Sequence, residues 1–150
     1  MSHGWLIVLL VALCGWAVAL VVGTLVIRKR FGELGRLGAW PRIRTLVPTV
    51  DLIGAWCGTV AAIALLVGRQ GGFRLPWAGA LLLVAMMVAA GLYHRAVLVP
   101  SLEAAWKRLE HGAPDPKFEQ DWAFLWRMSA WTHLASLVGV IGAIGCSVFA

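Results

Sequence analysis

The sequence predicts an all-α fold, a polytopic membrane bundle of four transmembrane helices, and three observations carry that prediction. Four apolar stretches run roughly over Gly4–Ile27, Leu46–Gly68, Pro76–Val99 and Arg127–Phe149. Hydrophobic residues make up 61% of the chain and its mean hydropathy is +0.83, more apolar surface than a water-soluble domain of 150 residues can cover. The basic residues gather beside the stretches and leave their interiors free. Each stretch is about 22–24 residues long, and a helix needs about 20 to cross the hydrocarbon core. Inside lipid the backbone must satisfy its own hydrogen bonds, so each stretch reads as an α-helix. Spans and connections use up residues 1–150, which leaves one domain and no separate soluble unit.

The first span, 4–27, ends at Arg28-Lys29-Arg30. Met1-Ser2-His3-Gly4 carries no positive lead region, so this stretch reads as a span and not as a cleaved signal peptide. The connection 28–45 holds Gly32, Gly35, Gly38 and Pro41, which argue against a stable helix. It is expected to lie along the headgroups, with Phe31, Leu34, Leu37 and Trp40 dipping in. The second span, 46–68, meets a short turn, Arg69–Leu75, carrying Gly71-Gly72, so spans two and three are antiparallel neighbours. Pro76 suits the first turn of the third span, 76–99, where no backbone donor is lost.

The connection 100–126 contains a short amphipathic helix, Ser101–His111, with Leu102, Ala105, Trp106 and Leu109 on one face. Glu103 and Lys107 form an i,i+4 pair in the favourable order, worth about 0.2–0.5 kcal/mol. Gly112 ends that helix, and Asp115-Pro116 reads as the cap and first residue of the last one. Trp126-Arg127 marks the interface where the fourth span, 127–149, begins.

The formal charge is +6, and its distribution matters more than its size. Eleven Lys and Arg flank the connections 28–45 and 100–126, and only Arg69 and Arg74 lie on the opposite side. The positive-inside rule then places both long connections in the cytoplasm and both termini outside a bacterial inner membrane. Basic groups beside spans meet anionic lipid headgroups and do not build a nucleic-acid surface. Cys14, Cys57 and Cys146 sit singly on three spans without a CxxC pair, as packing thiols do. Trp5, Trp77, Trp122, Trp126 and Trp131 fall near span ends and read as an aromatic belt, while the deeper Trp16 and Trp56 are expected to face lipid or a partner.

In lipid, helices associate through close backbone approach and polar contacts. Small residues recur at helical spacing on span one (Ala12, Gly15, Ala19, Gly23), span two (Gly54, Gly58, Ala61) and span four (Ser129, His133, Ser136, Gly139, Gly142). Span three offers two faces. One carries Ala80, Ala90 and Gly91 and leads to His94; the other carries Ala78, Ala85 and Ala89.

Asp51, His94 and His133 lie on or beside these inward faces. Counting rises from the basic ends places them about 8–9 Å into their spans, at one level. Thr24 and Thr132 lie at nearby depths, and Arg95 and Arg127 lie just above. A lone carboxylate in hydrocarbon is costly, so Asp51 is expected to be neutral, paired or functional. Paired with Arg95, Arg127 or His94, it is a knot that fixes helix register. Two imidazoles and a carboxylate are also a ligand set for a divalent metal. A b-type haem bridging His94 and His133, or a proton relay through the three groups, are further alternatives. His3 and His111 fall at opposite surfaces, where water solvates them.

Gly91-Leu92-Tyr93-His94-Arg95-Ala96-Val97-Leu98-Val99-Pro100, the amphipathic helix after it, and Trp126-Arg127 opening the last span carry a resemblance over about residues 46–149. The pattern resembles small four-helix bacterial inner-membrane proteins, distantly like the copper-resistance-D and protoporphyrinogen-oxidase-like group. The resemblance implies the four-helix fold and the bacterial inner membrane. Haem-binding members carry a His near a Lys in their first span, and Trp5–Ile27 has neither. The leading expectation is therefore an accessory or structural subunit without cofactor, packed against other membrane subunits or itself. A haem- or metal-dependent redox protein and a proton-coupled carrier are the alternatives.

Overall fold

A computed structural model describes residues 3–67, 75–111 and 116–148. They form α1 (His3–Ile43), α2 (Leu46–Val67), α3 (Leu75–Tyr93), a π-helical turn (His94–Leu98), α4 (Val99–His111) and α5 (Pro116–Val148). Among these residues there is no strand. Four helical stretches are long and apolar enough to cross a membrane: Gly4–Gly35, Leu46–Val67, Pro76–His111 and Glu119–Val148. The α1–α2, α2–α3, α3–α5 and α1–α5 pairs all touch, which closes a ring of four. The turn expected around Gly71-Gly72, and Gly112 and Asp115, lie outside the described residues.

The connection 28–45 is not the loop its glycines predict. α1 runs on to Ile43, and its one break is Gly35, at φ 68° and ψ 173°. A residue without Cβ takes that positive-φ conformation at no steric cost, so the chain changes direction there and resumes as helix. Burial then overrides weak helix propensity. Ala39, Trp40 and Ile43 are almost wholly buried, and Trp40 and Ile43 share a second core with Leu102 and Trp122. Glu103 ties the layer together. It accepts a 2.7 Å hydrogen bond from the Trp40 indole N–H and lies 3.7 Å from Arg44 and 3.8 Å from Lys107. Trp40 is thus an interior residue and not a headgroup anchor, while Leu34 faces outward.

The third span and the amphipathic helix are likewise continuous. The expected boundary at Val99 is absent because α3 passes into α4 through the π-turn. Trp122 and Trp126 pack edge to face with each other and with Phe31, and Trp122 is buried. Trp131 does face outward.

Trp16 corrects a further expectation. It is 3% exposed and points into the bundle. Gly54 and Gly58 on α2 leave a slot for its indole; a Cβ on Gly54 would come 2.5 Å from Trp16 Nε1. Gly139 receives Met87 and Gly23 receives Val50 in the same way. A Cβ on Gly15 would make only an ordinary 3.7 Å approach to Cys57, and one on Gly91 would meet no atom within 4 Å, so neither glycine is a point of close helix contact. On α3 the buried face is Ala80, Val84 and Met87, in line with His94, while Ala85 and Ala89 face outward.

Candidate functional site

Three helices deliver the polar residues to one point. α2 supplies Asp51 one turn before the Gly54 slot. α5 supplies Ser129 and His133, four residues apart on its small-residue stripe. The π-turn supplies His94 as its first residue. A π-turn inserts an extra residue into a helix and changes the direction of the side chains around it, and such turns recur at functional sites.

His94 is completely buried, Ser129 is 1% exposed and Asp51 is 7% exposed. His94 Nδ1 lies 2.6 Å from Asp51 Oδ2, and His94 Nε2 lies 2.6 Å from Ser129 Oγ. With Asp51 ionised the network assigns the protons: Nδ1–H donates to the carboxylate, and the Nε2 lone pair accepts from the serine hydroxyl. Ser129 differs in this from Thr49, Thr59, Ser101, Thr132 and Ser147, whose hydroxyls close onto the backbone carbonyl four residues back. Its hydroxyl is turned across to a neighbouring helix instead.

The second carboxylate oxygen faces His133. Nε2 of His133 stands 3.3 Å from Asp51 Oδ1, and the two imidazole rings are 4.6 Å apart at 51°. The His133 side chain is 13% exposed, and its other ring nitrogen makes no hydrogen bond to a described residue. A void of about 10 Å³ lies against Asp51, His133 and Ser136, about the room that one water molecule needs.

The sequence brings Asp51, His94 and His133 to a common depth, and the structure brings their side chains together. It does not bring Arg95 or Arg127. Both are exposed, and the described partners of Asp51 are the two histidines. Ser129 is the participant that sequence reading misses, because its stripe marks it as a packing residue; its place one turn before His133 is the available signal.

The cluster's donor set suits a metal ion. One ligand atom from each of Asp51, His94 and His133 falls within 4.8 Å of the others. Metal–nitrogen bonds of about 2.0–2.1 Å in a tetrahedral site set ligand atoms about 3.4 Å apart. The 3.3 Å Asp51–His133 separation already matches. The 2.6 Å contact from His94 runs to the other carboxylate oxygen, Oδ2, and is a hydrogen bond whose proton a metal would displace as the carboxylate and the rings rearrange. A haem held by both histidines does not fit. Axial bonds of about 2 Å on opposite faces of the macrocycle set imidazole centroids about 6 Å apart. Here they are 4.6 Å apart and bonded to one carboxylate, with no slot between them.

No protein-family model, no curated protein and no solved structure matches this chain.

Proposed function

We propose that this chain is a small polytopic protein of a bacterial inner membrane that holds a divalent metal ion between Asp51, His94 and His133. The convergence of those three ligand atoms from three helices, within 4.8 Å and nearly out of reach of solvent, carries the reading. Buried groups of this kind are costly between membrane-spanning helices and mark sites of function more often than surface ones. Three protein ligands leave one position open, the arrangement of reactive rather than purely structural metal sites. A bound ion acts there as a Lewis acid toward an oxygen ligand. Ser129 holds the His94 ring in orientation, as partners behind ligating imidazoles do. The placement in the membrane rests on the four apolar helices and the eleven-to-two asymmetry of basic residues.

The test is elemental analysis of protein purified in mild detergent without chelator. The expected result is about one equivalent of a first-row divalent metal, falling to background in Asp51→Asn and His133→Ala. A folded wild-type protein that stays metal-free after incubation with zinc, manganese, iron and copper ends the reading.

A second reading, an accessory subunit packed against other membrane proteins, is favoured by Trp56. It is 67% exposed on α2, with Ile53 and Val60 on the same outward surface. Trp16 gives it no support, since Trp16 is interior. Crosslinking in intact membranes tests it: a partner captured through α2 and lost in Trp56→Ala supports it, and a monomer refutes it. A proton-coupled carrier fares less well, because the interior beyond the cluster is lined mainly by Leu9, Leu13, Ala61, Ala64, Val140 and Ala143, and the hydroxyl of buried Ser147 there is bonded to its own helix.

A further inference from the structure

α1 and α5 are the neighbours that pack least closely around the ring. Between them lies a groove of about 410 Å³, open on one side, within the range of small-molecule sites. Its lining is ordered by depth. Phe31 and Trp126, in ring contact, stand at the basic end; Arg28 follows near the level of Ser129, then Thr24 and His133, and Leu20 and Leu137 lie deepest. From Arg28 inward along α1 each step is four residues, or about 6 Å. The outer wall, Val21, Leu25, Ala130 and Leu134, is exposed apolar surface.

We infer that this groove binds one anionic glycerophospholipid, with its phosphate on Arg28, its ester carbonyls at the level of Thr24 and His133, and an acyl chain along Leu20 and Leu137. The order cation, hydrogen-bonding groups, hydrocarbon on the wall is the order phosphate, ester, chain in the lipid. The charge of Arg28 selects an anion, and in the described structure the guanidinium has no carboxylate within ion-pair distance. Thr24 and His133 line the groove at the middle level, and one ring nitrogen of His133 makes no hydrogen bond to a described residue. A neutral ring compound would leave Arg28 unused, and a free phosphate would leave the aliphatic part empty. The site stands whether or not the cluster holds metal. If it does, His133 belongs to both, and the ester group lies beside the metal centre.

Native mass spectrometry of delipidated protein, titrated with phosphatidylglycerol or phosphatidylcholine, tests this. One phosphatidylglycerol is expected to bind in preference to phosphatidylcholine, with inorganic phosphate unable to compete. Arg28→Gln should weaken retention about fivefold, the effect of one basic residue on anionic lipid. Arg30→Gln, an equal loss of charge at a residue that pairs with Glu33, should leave retention unchanged. Ala130→Phe, which fills the groove without touching charge, should abolish the bound lipid. Equal losses in Arg28→Gln and Arg30→Gln, or full retention in Ala130→Phe, would overturn the proposal. Metal content measured on the same samples separates this outcome from that of the metal reading: Arg28→Gln is expected to keep its metal, and chelator-stripped protein its lipid.

Discussion

At the residue scale, stability should follow the number of buried groups left without a partner. Removing the Asp51 carboxylate orphans ring nitrogens on both His94 and His133, and removing the Ser129 hydroxyl orphans one nitrogen on His94. Each orphaned group costs about 1–3 kcal/mol. In detergent, thermal unfolding should therefore place Asp51→Ala below Ser129→Ala, and Ser129→Ala below wild type. Arg95→Ala should unfold like wild type, because Arg95 is exposed and outside the network. An Arg95→Ala loss equal to that of Asp51→Ala would restore the arginine salt bridge that the sequence suggests. The three principal residues are legible because position along a helix converts directly into depth. Ser129 is not, because a serine on a small-residue stripe packs and hydrogen-bonds with the same spacing. Which one it does depends on where the neighbouring helix puts His94.

At the element scale, the glycines divide by what faces them. Gly54→Ala drives a methyl group to 2.5 Å from Trp16 Nε1, and overpacking of this kind costs about 1–3 kcal/mol. Gly91→Ala meets no atom within 4 Å and gains helix propensity, about 0.5–1 kcal/mol. Denaturation of the two variants should thus move in opposite directions, and Trp16→Ala should relieve Gly54→Ala so that the pair is non-additive. Both glycines sit on small-residue faces in the sequence, and such a face does not name its occupant. The same limit explains residues 28–45. Glycine content argues for a loop, while the burial of Trp40 and Ile43 under Leu102 is non-local and leaves no periodic trace in that segment. At Gly35 φ is positive with an extended ψ, a region that only glycine adopts readily, so Gly35→Ala should cost about 1–3 kcal/mol through that conformation alone.

At the scale of the whole molecule, four apolar helical stretches long enough to cross a membrane are readable from the sequence, because length and hydropathy are properties of each stretch by itself. Their continuations are not. Gly35 and the π-turn allow α1 and the α3–α4 helix to run past the apolar region, where Phe31 and Trp40 of α1, Leu102 of α4, and Trp122 and Trp126 of α5 build a second, largely aromatic core. That cap braces the basic end of the bundle directly beside the Asp51–His94–His133 level. Trp40→Ala removes a fully buried indole and its bond to Glu103. Loss of such a side chain costs about 3–5 kcal/mol. If the cap positions the π-turn, the same variant should also weaken metal retention, although Trp40 touches none of the three ligands. Metal analysis beside a melting curve checks both effects.

The central claim is that one ion sits where α2, the π-turn and α5 converge. Anomalous diffraction from crystals grown with zinc or manganese, recorded at the metal's absorption edge, addresses it most directly. A single strong peak about 2.0–2.3 Å from an Asp51 oxygen and from one nitrogen each of His94 and His133 is the predicted result. A peak at another place, or density showing the three side chains apart with no peak between them, would contradict it.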